Sequence, residues 1–305
     1  MNTLQADQPS SNRILLFGEV LFDGFPDGSQ VLGGAPFNVA WHLRGLGEDP
    51  LLVSRVGADG AGRRVAEAMA AWGLDTSALQ TDPDHPTGAV RVDLEDGEPR
   101  FHILPDQAYD FIAPDRLPDP DGAACLYHGS LALRRPESAA AWRALAGRAR
   151  APIFLDVNLR PPWWEREAVL DWVGAARWVK LNRSELRRLS PAGADVERQA
   201  EAFLSLHGLE GLVVTLGEAG ALALTASGLR ERVAPAAALP VVDTVGAGDA
   251  FAAVCLLGRA RGWPLALTLA RAQAFAGALV GVRGAVVADR AFYRRFLDAW
   301  ENGGD

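Results

Sequence analysis

Apolar residues along this chain occur in short runs that alternate with amphipathic stretches. "RILLFGE" (13–19) is typical of a buried strand, and "APFNVAWHLRGLG" (35–47) carries apolar residues at helical spacing and closes on a glycine. The strand "PLLVSRVG" (50–57) and the helix "AGRRVAEAMAAWG" (61–73) repeat this order. Further strands are predicted at "AACLYHGS", "APIFLDVN", "RWVKLN" and "GLVVTLG". The alternation predicts an α/β fold, a three-layer sandwich whose central, mostly parallel sheet is covered by helices.

One segment, "GAVRVDLEDGEPRFHIL", breaks this rhythm. Val90, Val92 and Leu94 alternate with charged residues and an Asp-Gly turn signal follows, so the pattern predicts a hairpin with one apolar face. Together with residues 20–32, the segment 87–110 is expected to form a small β lid over the edge of the sheet where ligands bind.

The rest of the chain predicts a simple organisation. Residues 1–12 are expected to be a flexible arm, and residues 13–305 one domain without a linker or an internal repeat. The chain after residue 250 predicts three helices, broken near Pro264 and at "VRGA".

Composition narrows the class of protein. Apolar residues make up 49% of the chain and charged residues 22%, as in globular proteins. The net charge of −8 disfavours nucleic acid or an anionic membrane as the main partner. No signal peptide and no membrane-spanning run is found, so the protein is expected to be cytoplasmic. Cys125 and Cys255 lie in apolar runs and are expected to be reduced core thiols.

The stretch "DTVGAGDAF" (243–251) carries the first candidate chemistry. Gly246, Ala247 and Gly248 lead the backbone to Asp249, where an apolar helix is predicted to begin. An acid in a first helical turn can simply complement the helix dipole. Small residues at that position also leave backbone N–H groups free to hold an anion. The sequence alone leaves both interpretations open. The Walker phosphate loop and the dinucleotide-binding glycine pattern are both absent, so any phosphate chemistry must use another loop.

The stretch "GGAPFN" also has two interpretations. Gly33 and Gly34 can form a flexible turn with Asn38 near a helix start, or they can let the backbone approach a ligand whose hydroxyls bond the Asn38 amide.

Two later stretches combine acids, amides and an arginine. In "DVNLR", Asp156, Asn158 and Arg160 alternate after an apolar strand, so all three are expected to point to one side. The Arg160 guanidinium suits a carboxylate or a phosphate. In "KLNRSE", Asn182 and Glu185 lie three residues apart at a helix start, which fits either a binding pair or a capping box.

Taken together, these segments resemble the ribokinase-like (PfkB) carbohydrate kinases and, within them, the fructokinases. The resemblance runs from "GEVLFDGFPDG" to "VRGA" and includes two specific signatures, "GGAPFNVA" continuing through Gly57 and "DTVGAGDAF". Val254 stands where the family usually has glycine or alanine, a departure expected to alter only helix packing.

The resemblance implies roles for individual residues. Sugar contacts are expected from Asp23, Gly33, Gly34, Asn38, Arg160 and Asp249. Nucleotide contacts are expected from Asn182, Thr215, Gly217, Gly246, Gly248 and Gln273. Asp249 would be the catalytic base, assisted by Gly246, Ala247, Gly248 and Arg160. Glu185 would organise Mg²⁺ through water, and Asp243 would lie near a monovalent cation such as K⁺.

The reaction implied is transfer of the ATP γ-phosphate to the primary hydroxyl of a small sugar, with D-fructose to fructose 6-phosphate as the first choice. The alternatives are a 2-keto-3-deoxygluconate kinase, a ribokinase, or a non-catalytic sugar-binding regulator. Lid residues such as Phe25, Tyr109 and Phe111 are expected to determine the sugar. A homodimer through the lid and closure of the lid within one chain both stay open.

Overall fold

The computed structural model describes residues 13–95, 98–190, 195–235 and 241–303. The predicted arm at residues 1–12 and the predicted Asp-Gly turn at residues 96–97 lie outside the described residues.

Short strands and mostly longer helices alternate along most of the chain, as the apolar pattern predicts. The strands are β1 (Ile14–Phe17), β2 (Leu21–Gly24), β3 (Gln30–Gly33), β4 (Leu51–Gly57), β5 (Leu79–Asp82), β6 (Gly88–Glu95), β7 (Glu98–Ile103), β8 (Cys125–His128), β9 (Ile153–Asp156), β10 (Trp178–Asn182), β11 (Gly211–Thr215), β12 (Ala221–Thr225) and β13 (Arg230–Val233). The helices are α1 (Ala35–Gly45), α2 (Gly60–Trp72), α3 (Pro136–Arg148), α4 (Arg166–Ala175), α5 (Arg183–Leu189), α6 (Val196–Leu206), α7 (Ala247–Ala260), α8 (Leu265–Val280) and α9 (Arg290–Glu301).

Nine strands form the large sheet, in the order β13-β12-β11-β10-β9-β8-β1-β4-β5. The strands from β11 to β5 pair in parallel, whereas β12 and β13 pair antiparallel at one edge. All six predicted sheet strands and the predicted helices are confirmed. The sequence pattern did not identify β5, β12 or β13. The edge strand β13 is half exposed, and two of its four residues are arginines, so it lacks an apolar run.

Helices cover both faces of this sheet. Leu16 of β1 packs in one apolar cluster with residues of α1, α7, α8 and α9. Its neighbour Leu15 packs in another cluster with residues of α3 on the opposite face. This division confirms the predicted three-layer arrangement. Cys125 and Cys255 are buried free thiols, as expected.

A separate four-stranded sheet, in the order β3-β2-β6-β7, contains the segments predicted to form the lid, and its closure over a ligand stays a prediction. Val90 and Val92 are 5% and 1% exposed, and Val90 packs within this chain against Leu21 and Tyr109. Val90 and Val92 are thus covered within this chain, whereas Phe101, the partner of Val92 in the sheet, is 47% exposed. The homodimer stays a prediction. None of the helices in the described ranges has the length and apolar character needed to cross a bilayer.

Candidate active site

The parallel strands end at one edge of the large sheet, and most of the predicted site residues lie at or just beyond that edge. Asn182 and Thr215 end β10 and β11 and are direct partners in the register of the two strands. Gly217 follows with φ 63°, in the left-handed region that favours glycine.

The first helix brings Asn38 to Asp249. The Asn38 Nδ2 atom donates a hydrogen bond to Asp249 Oδ2 at 2.8 Å, across 211 residues of sequence. A Cβ at Gly33 would lie 3.7 Å from Asp23 Oδ2 and 3.9 Å from Asn38 Oδ1. Asp23, Gly33, Asn38 and Asp249 therefore lie together, as the resemblance implies.

Gly34 explains why the turn before α1 needs glycine. Its φ is 111°, and a Cβ there would lie 2.6 Å from the carbonyl oxygen of Glu19. No other residue fits this approach without moving the connection between β1 and β2.

Helix α7 begins without a side-chain cap. Gly246 occupies the N-cap position with φ 79°, and a Cβ there would lie 2.5 Å from Cα of Ala285. The Ala247 N–H already donates to the Thr244 carbonyl at 3.3 Å. The N–H groups of Gly248 and Asp249 are in the first turn, where an α-helix offers no carbonyl partner. These two N–H groups, rather than that of Ala247, are the ones open to an anion.

Two carboxyl groups here have raised proton affinity. Burial raises the pKa of Asp249 to about 6, while the bond from Asn38 and the charges of Lys180 and Arg160 oppose the shift. Burial also raises the pKa of Asp23 to about 6, with Arg160 acting in the opposite direction. Near neutral pH Asp249 is largely ionised, yet it takes up a proton more readily than a free aspartate, which suits a general base.

The expectation for "DVNLR" is wrong in part. Strand β9 ends at Asp156, so the alternation that would align Asp156, Asn158 and Arg160 does not continue beyond it. Asp156 is buried and accepts two bonds from Lys180 Nζ, at 2.7 and 2.9 Å, and one from the Tyr127 hydroxyl at 3.3 Å. Arg160 lies beyond the strand and is exposed, so its guanidinium is open to a ligand, whereas Asp156 is not.

Lys180 is a residue of this site that sequence reasoning missed. Its side chain is buried, and a Cβ at Gly248 would lie 3.6 Å from Nζ, so the ammonium group lies just behind the start of α7. Burial alone would lower the pKa of Lys180. The charges of Asp156, which has the larger effect, and of Asp249 and Glu185 outweigh burial and raise the pKa above its ordinary value, so the group stays charged. A lysine inside the apolar run "RWVKLN" was the available signal, because a buried charge needs a partner.

Asn182 and Glu185 form a capping box. The Glu185 N–H donates to Asn182 Oδ1 at 3.0 Å, and the Asn182 N–H donates to Glu185 Oε2 at 2.8 Å. The other carboxylate oxygen, Oε1, accepts from the Leu159 N–H at 3.1 Å. The structural interpretation of this pair is thus confirmed, and its part in metal binding stays a prediction.

The carboxylate of Glu185 nevertheless fits Mg²⁺. Within the described residues no group of three or more His, Cys, Asp or Glu side chains forms a metal cage. Mg²⁺ commonly uses one or two carboxylates plus substrate phosphates and keeps several waters. A single, rigidly held carboxylate is consistent with an ion held mainly by water and phosphate.

Asp243 joins the two loops that the resemblance places around a monovalent cation. Its Oδ1 accepts from the Val245 N–H and its Oδ2 from the Gly284 N–H, each at 3.0 Å. Both oxygens are therefore engaged by the backbone, and a cation here would rely mainly on carbonyl groups of the same loops.

Three predicted residues lie apart from this cluster. Gln273 is half-buried in α8, and no hydrogen bond within the described residues connects it to the other site residues. Tyr109 is fully buried beneath the lid, and the Phe111 ring stacks on His85 with centroids 3.7 Å apart. Tyr109 therefore does not line the site surface as expected, because it is part of the core that supports the lid.

An α/β sheet with an acid at an open helix start, a nearby arginine and a separate small sheet is the arrangement that the resemblance to the carbohydrate kinases implies. The sequence matches the model of the pfkB family carbohydrate kinases over residues 10–290. The chain belongs to this family and is a carbohydrate kinase.

Individual relatives support this assignment. A fructokinase from Klebsiella pneumoniae is 33% identical over 91% of this chain and 96% of its own length. An aminoimidazole riboside kinase from Salmonella typhimurium is 31% identical over 91% of this chain and 92% of its own. The crystal structure of a fructokinase from Vibrio cholerae O395, with fructose, ADP and calcium bound, superposes with a TM-score of 0.81 at 29% identity. It covers 94% of this chain and 99% of that one.

Proposed function

We propose that this kinase transfers the γ-phosphate of ATP to the primary hydroxyl of D-fructose, giving fructose 6-phosphate and ADP. The observation that carries the proposal is the Asn38–Asp249 hydrogen bond at the open start of α7, with Asp23 beside it. The Klebsiella and Vibrio fructokinases support fructose as the acceptor.

Asp249 is the base in this reaction. One of its carboxylate oxygens takes the proton of the sugar hydroxyl as the hydroxyl oxygen bonds to the γ-phosphorus. The bond between that phosphorus and the β–γ bridging oxygen breaks, and ADP leaves with its electron pair. The N–H groups of Gly248 and Asp249 and the Arg160 guanidinium stabilise charge on the transferred group. Asp23 and Asn38 orient the sugar, and the lid excludes water, the competing acceptor.

Mg²⁺ neutralises charge on the ATP phosphates when it is bound, and Glu185 is the residue that would hold its water shell. The loops joined by Asp243 would hold K⁺. Thr215, Gly217 and Asn182 would contact the nucleotide, and Gln273 would reach it from α8.

A second acceptor has a specific observation in its favour, namely the aminoimidazole riboside kinase that is 31% identical. A coupled ADP-release assay with D-fructose, aminoimidazole riboside, 2-keto-3-deoxygluconate and ribose separates the candidates. We expect kcat/KM for fructose to exceed each of the others by about tenfold or more, since loss of one well-placed hydroxyl contact is worth at least this factor. A higher value for another acceptor would replace fructose, and no turnover with any of them would favour a sugar-binding regulator.

A further inference from the structure

Glu19 is a buried acid at the catalytic edge that the proposed reaction does not use. It lies in the connection between β1 and β2 and is 2% exposed. Its carbonyl oxygen touches Gly34, the residue immediately before the helix that presents Asn38 to Asp249.

The carboxyl group of Glu19 has only part of the hydrogen bonding that a buried charge requires. Backbone N–H groups of Glu19 and Ala35 favour its charged form, but its buried Oε2 atom has no hydrogen-bond partner among the described residues. Within the described part of the chain, no basic side chain lies close enough to form an ion pair with it. An ionised carboxylate in such a place is costly, so the protonated form is favoured.

The charged and titratable groups around Glu19 come from several elements. Asp249 of α7 raises its proton affinity, and Arg134, in the short turn Leu131–Arg134, lowers it. Tyr109 and Tyr127 also lie within electrostatic range and are neutral, because burial keeps both phenols protonated. Arg134 bonds to Asp110 at 2.7 Å from Nε and Nη2, while its buried Nη1 has no hydrogen-bond partner among the described residues.

We propose that Glu19 is a positioning residue for the base. The ionisation state of the buried Glu19 carboxyl sets the proton affinity of Asp249. The proposal rests on the assignment of Asp249 as the base. Asp249 is a weaker base when Glu19 is neutral than when Glu19 is ionised. When Glu19 ionises, its charge adds to the field at Asp249 and makes Asp249 the stronger base.

The pH at which this change occurs is accessible. Burial raises the pKa of Glu19 to about 7, with backbone N–H groups of Glu19 and Ala35 acting against the shift. Below that pH Glu19 carries its proton, and above it the carboxylate appears beside Asp249. Turnover limited by proton abstraction should therefore rise in two steps, near pH 6 and near pH 7. Asp23 also titrates near pH 6, so only the upper step is diagnostic.

The test compares Glu19→Gln, a neutral isostere, with Glu19→Asp, which keeps a titrating carboxyl. The pH profile of kcat/KM for fructose is measured for both, with the exposed Glu210→Gln as a matched control. We expect Glu19→Gln to lose the step near pH 7 and to be about two- to tenfold slower than wild type above pH 8. Glu19→Asp and Glu210→Gln should keep the step. A Glu19→Gln profile that superimposes on that of wild type would overturn the proposal.

A spectroscopic readout does not depend on turnover or on Glu19→Gln folding. Infrared spectra of protein with isotope-labelled glutamate should show a protonated carboxyl that ionises between pH 6 and 8. That band should vanish from glutamate-labelled Glu19→Asp, which separates Glu19 from the other buried glutamate of the site, Glu185. Absence of such a band would refute the inference. Failure of wild type to phosphorylate any sugar would refute the proposed function and leave this measurement valid.

Discussion

Two helices, α5 and α7, begin at the same edge of the large sheet, and both carry an acid in their first turn. At α5, Asn182 caps the helix, and both oxygens of Glu185 are engaged by backbone N–H groups. At α7 the cap is Gly246, which has no side chain, and among the described residues the Asp249 carboxylate bonds only to the amide of Asn38.

The capping residue determines which groups a helix start leaves available. A polar cap satisfies the first N–H groups and ties the acid to the backbone, which stabilises the helix. A glycine cap leaves N–H groups open and the acid available for a proton. The residue at the cap, more than the acid itself, determines whether the acid is tied to the backbone or left available to a ligand.

The largest effect tests the acid of α7. Asp249→Asn should lower turnover by about 10² to 10⁴, the range typical of a general base, because an amide does not take the hydroxyl proton. Fructose binding, measured by calorimetry, should stay within a few-fold. Turnover within a factor of about three of wild type would show that Asp249 is not the general base.

The next prediction concerns the charge between the two helix starts. Lys180→Met should reduce the free energy of unfolding by about 3–5 kcal/mol, because Asp156 is left buried without its cation. Urea denaturation measures the loss. The matched control is the double variant Lys180→Met with Asp156→Leu, which should recover much of the stability. An unchanged midpoint in the single variant would mean that the ion pair is not buried in solution.

An isosteric change at α5 complements the first prediction. Glu185→Gln can keep the capping box, since glutamine also serves in that motif, but it removes the charge and the acceptor for the Leu159 N–H. We expect the Mg²⁺ concentration for half-maximal turnover to rise roughly 10- to 100-fold, as for other residues that hold a metal through its outer shell. Magnesium titrations of the two enzymes check this. Coincident titration curves would show that Glu185 caps its helix and has no part in Mg²⁺ binding.

The smallest effect tests the cap of α5. Asn182→Ala should cost about 1 kcal/mol of folding free energy, the usual value of a lost N-cap. The same denaturation measurement detects it. Asp195→Ala, which removes the cap of α6, is the matched control because Asp195 lies outside the site and caps the Arg198 N–H. A loss well above that of the control would mean that Asn182 supports more than its own helix.

Much of the fold could be predicted because its strands are apolar runs bounded by polar residues. The glycines and the acid of "DTVGAGDAF" likewise marked the start of α7 before any geometry was known. The Lys180–Asp156 pair could not be deduced, since it depends on β9 and β10 being neighbours in register. Glu19 gave no signal, because an acid after an apolar strand normally faces water.

The choice between capping and binding at Asn182 and Glu185 was also beyond the sequence. Both uses require the same residue types at the same spacing, and only hydrogen-bond geometry distinguishes them. The alternation in "DVNLR" was misleading for a related reason. A two-residue period has meaning only while the strand lasts, and β9 ends at its first polar residue.

The tight contact between Gly34 and the Glu19 carbonyl has a consequence for protein engineering. The three residues that lead into the first lid strand are enclosed by two further glycine contacts: a Cβ at Gly18 would lie 2.6 Å from Pro36 Cγ, and one at Gly88 would lie 2.6 Å from the Val20 carbonyl oxygen. A lid transplanted from a relative would have to match all three glycines at once. Exchange of substrate preference between such enzymes is therefore best attempted through residues on the lid strands, with this junction kept intact.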